Sequence, residues 1–282
     1  MVINEKLLYF CSYVPVEYLK ARGFVMVGPG DTDALLDAGM PYSSSRAVCR
    51  YMQHCARMDF SRYDGVIFTH CCSSAERVFD FIQFRYPGLF LHMLELPGRM
   101  DDMGRKQLAG EYRRLFRELE RRFGKREKMS SRFRKTKGTG REVWLLGNSL
   151  HPRWKNAVQT IFLDEPLGFS DCSSSRRGDR FLDSDDIDES CPRMLDFLPW
   201  FSKRLEEKRD DIRAVIGVFI PKCDFSLFTM PQIRRICHEQ NCPVLLLEEE
   251  FGPSLSEQNR IRLEAFREML ERKRRTTKKT NK

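Results

Sequence analysis

Residues 63–72 have the sequence Tyr-Asp-Gly-Val-Ile-Phe-Thr-His-Cys-Cys, and this stretch decides the predicted fold. Its short apolar run, bounded by an Asp-Gly turn signal, predicts a buried strand over Gly65–Thr69. Two cysteines follow at once, and an amphipathic pattern then predicts a helix over Ser74–Arg85. The stretch is therefore a strand that ends in cysteine and leads into a helix.

The same alternation of short apolar runs and amphipathic stretches continues through the chain. Further strands are predicted at Leu7–Phe10, Phe24–Val27, Leu89–Leu94, Val143–Leu146, Ala214–Ile220 and Val244–Glu248. Further helices are predicted at Pro15–Ala21, Ser44–Arg57, Arg105–Arg122, Met194–Lys208, Met230–Gln240 and Ser256–Arg272. Strands that alternate with helices predict an α/β fold with mainly parallel sheets covered on both faces.

A basic segment divides the predicted elements into two halves of similar size. We predict an N-terminal α/β domain at 1–122, a basic linker at 123–142, a C-terminal α/β domain at 143–272 and a basic tail at 273–282. Within the second half, the Ser/Asp-rich stretch 168–190 predicts a long loop.

The net charge of +9 comes from two short segments. Residues 121–141 carry ten Lys/Arg and one Glu, and residues 272–282 carry seven Lys/Arg and no acid. Contact with RNA or an acidic partner is one interpretation; a solvated linker and a solubilising end is the other. We adopt the second, because blocks of like charge are usually disordered, and expect no nucleic-acid partner.

Nothing in the sequence predicts membrane insertion or secretion. The chain contains no run of 18 apolar residues, and its first 20 residues lack the basic and long apolar regions of a signal peptide. We therefore expect a cytoplasmic protein without a membrane partner.

Three predicted strands end in cysteine. Cys11 follows the run Leu7–Phe10, Cys71 and Cys72 follow the run at 65–69, and Cys223 follows the run at 214–220. Ligands of open α/β sheets bind at the carboxyl ends of the strands, so the fold can bring these thiols together.

The chain has ten cysteines, which a disulfide framework explains poorly in a chain without a secretion signal. Zinc sites usually contain close C-x₂-C pairs, and the sequence has none. Widely spaced single cysteines favour an iron–sulfur cluster between domains, with buried structural thiols as the open alternative. Walker A, complete dinucleotide-binding, H-E-x-x-H and G-x-S-x-G motifs are missing, so no catalytic residue is identified.

The segments around the cysteines resemble the 2-hydroxyacyl-CoA dehydratase / benzoyl-CoA reductase family. Three motifs carry the resemblance: Cys11-Ser-Tyr-Val-Pro-Val-Glu17, the 63–72 stretch followed by Leu94-Glu-Leu-Pro97, and Val215–Cys223 followed by Cys242-Pro-Val-Leu-Leu-Leu-Glu248. These motifs occur in the family's order, and the similarity as a whole extends from residue 7 to about 270.

The resemblance implies a site and a cofactor. It implies two Rossmann-like, doubly wound domains with a [4Fe–4S] cubane between them, held by Cys11, Cys72 and Cys223. Cys49, Cys172 and Cys191 resemble the extra ligands of the family branch with an [8Fe–9S] double-cubane cluster, in which two cubanes take three cysteines each.

The resemblance also implies partners and a reaction class. A separate ATP-dependent iron–sulfur activator would supply a low-potential electron, and an acyl-CoA substrate would undergo radical dehydration or reduction. The subunit partner would be an identical chain or a sister subunit. The alternatives are a double-cubane reductase of small substrates and a non-catalytic electron-relay or scaffold subunit.

Overall fold

Within the part of the chain that the structure describes, the strands form two four-stranded sheets in which every strand pair is parallel. The computed structural model describes residues 5–28, 48–126, 142–147, 152–162, 167–171, 177–184, 191, 193–251 and 254–280. The strands of the first sheet are Lys6–Tyr9 (β1), Val25–Val27 (β2), Gly65–His70 (β3) and Phe90–Glu95 (β4). The strands of the second are Glu142–Gly147 (β5), Leu167–Asp171 (β6), Ile212–Phe219 (β7) and Val244–Glu248 (β8).

Helices connect and cover these strands. Those of the first half are Val16–Lys20 (α1), Arg50–Ala56 (α2), Ser73–Arg85 (α3) and Asp102–Phe123 (α4). Those of the second are Pro152–Ile161 (α5), Arg177–Ser184 (α6), Phe197–Glu207 (α7), Asp224–Glu239 (α8) and Glu257–Thr280 (α9). In the described part of the chain, no helix is long and apolar enough to cross a membrane.

The first sheet is buried on both faces, as an apolar run in a parallel sheet requires. Successive side chains of β3 alternate between the two faces. Val66 and Phe68 pack with α2 and α3, whereas Ile67 packs with α1 and α4. The second sheet follows the same rule, with α5 and α9 on one face and α7 and α8 on the other.

The two sheets have the same strand order. The first runs β2-β1-β3-β4 and the second runs β6-β5-β7-β8, so β3 and β7 occupy equivalent positions. Because the strands of each sheet are parallel, their carboxyl ends lie at the same end of the sheet, where α/β folds bind ligands. The predicted fold class, α/β with two Rossmann-like parallel sheets, is confirmed.

Some predicted element boundaries were wrong. Residues 168–190 are not one long loop, since they contain most of β6 and the whole of α6. Helix α5 was not predicted, and α8 begins at Asp224 rather than Met230 and passes through Pro231. Strand β6 escaped prediction because Gly168, Ser170 and Asp171 interrupt the apolar residues of Leu-Gly-Phe-Ser-Asp.

The predicted basic segments lie partly outside the described residues. Helix α4 ends at Phe123, after which Arg126 forms an ion pair with Glu5 and stacks over the Phe24 ring. Helix α9 continues to Thr280, through most of the predicted tail. Residues 127–141 are outside the described part, and the domain boundaries stay a prediction.

Candidate metal centre

Three cysteines occupy N-cap positions. Cys72 caps α3 and Cys223 caps α8, and these helices follow the equivalent strands β3 and β7. Cys49 caps α2, and its backbone N–H donates to the Ser74 hydroxyl in the first turn of α3. The N-terminus of a long helix stabilises a thiolate through its dipole and free N–H groups. Cys72 therefore has surroundings that favour the thiolate, the ligating form.

Two further cysteines are buried beside the end of β1. Cys11 lies two residues after β1 and packs in one apolar cluster with Cys191 and Tyr13. The Tyr13 hydroxyl donates to Met194 Sδ over 3.5 Å, and Met194 N–H donates to the Cys191 carbonyl over 2.8 Å. A segment about 180 residues away in sequence is thereby held against Cys11.

The six cysteines of this region form two sets. The first thiol group, Cys11, Cys71 and Cys191, lines one cavity of about 10 Å³ together with Thr69 and Arg193. The second thiol group consists of Cys49, Cys72 and Cys223. Cys49 and Cys223 share one packed cluster against which both Cys71 and Cys72 lie, but Cys72 and Cys223 are the thiols that interact electrostatically with Cys49.

Other cysteines lie elsewhere or outside the described residues. Cys172, a predicted ligand, is outside the described part of the chain. Cys55 is fully buried on α2, about two turns from Cys49. Cys237 and Cys242 lie at the far end of α8 from Cys223.

The comparison with protein families decides the family. The family model described as 2-hydroxyglutaryl-CoA dehydratase, D-component, matches residues 11–141 and 178–270, most of the 282 residues. The chain belongs to this family. A search among curated proteins finds no significant match.

Every described cysteine of the two thiol groups lies inside the matched ranges of the 2-hydroxyglutaryl-CoA dehydratase D-component family, whereas Cys172 lies between them. The family resemblance inferred from the cysteine motifs is confirmed. The assignment of particular cysteines as ligands stays a proposal.

Cys71 and Cys72 join the two thiol groups. A hydrogen bond from the Cys71 thiol, together with the nearby Arg193 guanidinium, lowers the pKa of Cys72 to about 4 although burial opposes this. The same bond, followed by burial, raises the pKa of Cys71 well above its ordinary value. Arg193 Nη1 also donates to Cys71 Sγ over 2.9 Å. The pair thus holds one negative charge at neutral pH, stabilised by a guanidinium.

Burial favours the neutral form of two further thiols, Cys11 and Cys49. Burial raises the pKa of Cys11, and the neighbouring Cys191 adds to this effect. Burial also raises the pKa of Cys49. Because iron binds the thiolate, loading this site must release protons.

The donor set fits an iron–sulfur cluster better than a single ion. Soft thiolates in an apolar shell are the usual ligands of iron–sulfur clusters. Among the described residues, no three His, Cys, Asp or Glu side chains are close enough to hold one metal ion. A cluster spreads its ligands over several irons. The cavity holds only about 10 Å³, so the thiols around it would have to move apart to admit a cluster.

The sequence analysis missed three residues of this region. Cys71 was set aside in favour of Cys72, yet it lines the cavity with Cys11. Arg193 lies two residues after the predicted ligand Cys191 but was assigned no role. Arg177 carried no signal in the sequence, although it is completely buried and its Nη1 donates to Ser12 Oγ over 2.9 Å.

Proposed function

We propose that this chain is the iron–sulfur subunit of a 2-hydroxyacyl-CoA dehydratase system. In this proposal it receives a low-potential electron from an ATP-dependent activator and serves radical dehydration or reduction. Membership of the dehydratase D-component family supports a role as one component of such a system.

The single observation that carries the proposal is the convergence of six thiols at the edges of two sheets. Cys11 and Cys71 follow strands of the first sheet, Cys223 follows a strand of the second, and Cys191 precedes α7. Buried thiols scattered only for packing would have no reason to collect at strand ends. Ligand binding at that edge gives a reason.

The residues of this chain would hold, shield and polarise the cluster. Thiolates of both groups would bind iron, while Phe10, Tyr51 and Phe68 line the adjoining cavity and exclude water. The N-termini of α3 and α8 would stabilise the negative charge at Cys72 and Cys223. When bound, the cluster would supply one-electron chemistry at low potential.

The division of the thiols favours the double-cubane form of the proposal. A double cubane needs two sets of three cysteines, and the two thiol groups supply three each. Cys71 takes the place in this assignment that the sequence analysis gave to Cys172. A single cubane held by Cys11, Cys72 and Cys223 would instead draw ligands from both groups.

A non-catalytic electron-relay subunit is the second candidate. The cavity of about 10 Å³ beside the first thiol group is far too small for an acyl-CoA molecule within the described residues. In this proposal the chain passes its electrons to a partner subunit. An identical or a sister subunit would then bind the substrate. We also propose that the system works in the cytoplasm.

Anaerobic purification followed by iron and sulfide analysis tests the proposal. We expect about eight irons per chain for the double cubane and about four for a single cubane. Cys11→Ala and Cys223→Ala should lower the iron content, whereas Cys55→Ala should leave it unchanged. Iron-free wild-type protein, after anaerobic reconstitution with iron and sulfide, would refute the proposal.

Turnover separates the two candidates. An active dehydratase subunit, mixed with activator, ATP and a 2-hydroxyacyl-CoA, should release the unsaturated acyl-CoA without another chain. A relay subunit should become reduced under the same conditions, as EPR would show, yet form product only when a further subunit is added.

A further inference from the structure

Two arginines approach the thiol region from one short segment of the second half. Arg177 lies at the start of α6 and Arg193 lies just before α7. Between them they reach both thiol groups. Neither is assigned a role by the family match or by the proposal above.

Arg177 is locked in place beside Cys11. Its side chain is completely buried, and its Nη1 bonds Ser12 Oγ over 2.9 Å. The next residue, Gly178, donates its N–H to the Ser12 carbonyl over 2.9 Å. A side chain at position 178 would collide with the Tyr13 carbonyl oxygen, so only glycine permits this contact.

The buried guanidinium acts on the first thiol group. Its Nη1 bonds Ser12, the residue directly after Cys11, and its guanidinium carbon lies 5.8 Å from the centre of the Tyr13 ring. Charges in a dry interior interact more strongly than charges in water, since solvent screens them less. A buried cation at this position would therefore stabilise negative charge on the iron–sulfur cluster that Cys11 is proposed to bind.

Arg193 lies between the two thiol groups. Its Nη1 donates to Cys71 Sγ over 2.9 Å, and its charge also acts on Cys72 and Cys49. Its guanidinium carbon lies 5.5 Å from the centre of the Phe225 ring, in the first turn of α8. Arg193 therefore reaches thiols from both groups and contacts the helix that Cys223 caps.

We infer that Arg177 and Arg193 are positioning residues that set the reduction potential of the group held by these thiols. This inference rests on the proposed function. Reduction adds an electron to an already anionic thiolate-ligated cluster, and nearby positive charge or N–H···S bonds favour the reduced form. Loss of either charge should make reduction harder.

Potentiometric titration of the iron-loaded chain, monitored by EPR, tests this inference. Arg177→Met and Arg193→Met keep much of the side-chain length but remove the charge. We expect each to shift the one-electron equilibrium at least tenfold toward the oxidised form, which is a fall of about 59 mV. Arg177→Lys retains the charge and should restore most of the potential.

Arg235→Gln is the matched control. Arg235 is an exposed arginine near the far end of α8, paired with Glu239, so its removal makes the same change in net charge away from the thiols. Its potential should equal that of the wild type. If Arg177 had only a structural role, its substitution would change the stability of the fold, but the potential would not fall in Arg177→Met and recover in Arg177→Lys.

The outcomes separate the inference from the proposed function. If wild-type protein binds no iron, both fail. If the Met variants retain iron at an unchanged potential, the inference alone is refuted. If Arg177→Met does not fold, Arg193→Met decides, because that side chain is partly exposed.

Discussion

The vicinal cysteines give the sharpest test of how the thiols are grouped. Cys71 belongs to the first thiol group, with Cys11 and Cys191, whereas Cys72 belongs to the second. The perturbation is Cys71→Ala or Cys72→Ala, made singly. If each group holds one cubane, each substitution leaves one cubane with only two protein thiolates and spares the other.

The magnitude follows from this count. Wild-type protein should contain about eight irons per chain, and each single variant should contain about four. Cys71→Ala and Cys72→Ala together should remove nearly all the iron. Truncating a partly buried cysteine costs the fold about 1 kcal/mol, a typical value for a point mutation, so the chain should remain folded.

The assay is colorimetric iron and sulfide analysis on anaerobically purified protein, with EPR of the reduced sample. Cys55→Ala is the matched control, because Cys55 is fully buried in the same apolar cluster as Cys49 and belongs to neither group. It should retain about eight irons. Circular dichroism establishes that each variant is folded.

Two results would refute the grouping. Full iron content in Cys71→Ala, combined with about half in Cys172→Ala, would make Cys172 the sixth ligand. Complete iron loss in Cys72→Ala alone would indicate one cubane that depends on Cys72.

Three other predictions concern the scaffold. Burial lowers the pKa of His92 from 6.5, although Glu118 bonds its Nδ1, so the folded state resists protonation. The free energy of unfolding should therefore fall as the pH drops below 6.5, by up to about 1.4 kcal/mol per pH unit. His92→Gln should remove this dependence, which anaerobic urea titrations at pH 7.5 and 5.5 would measure. Gly178→Ala should place a methyl group against the Tyr13 carbonyl and destabilise the fold by about 1–3 kcal/mol, measured by thermal unfolding; an unchanged Tm would contradict the close approach. Asp101→Ala should remove the side-chain cap of α4 and lower the free energy of unfolding by about 1 kcal/mol, whereas Asp101→Asn should retain most of it.

Local sequence patterns predicted the strands at the centre of each sheet well. Strand β3 is an unbroken apolar run because helices cover both of its faces, and such a run is visible without tertiary information. Strand β6 lacks that pattern because Gly168, Ser170 and Asp171 interrupt its apolar residues. Helix α6 was not predicted because it is short and its buried residues include the charged Arg177 and Asp179, which do not form an apolar helical pattern.

The distinction between Cys71 and Cys72 could not be predicted from sequence. Adjacent side chains point in different directions, and both residues follow β3 equally well. Their neighbours differ, because Cys11 interacts with Cys71 and Cys49 interacts with Cys72, whereas Arg193 acts on both thiols. Those neighbours come from segments far apart in the chain.

The sequence by itself determined that strands end in cysteine and alternate with helices, because hydrophobic periodicity and residue type are local properties. The tertiary structure alone decided which thiols are neighbours and that two arginines lie among them. The physical reason is that these contacts depend on how the second half of the chain packs on the first. The hydrogen bond from Arg177 to Ser12 joins residues 165 positions apart, and no local pattern encodes such a contact.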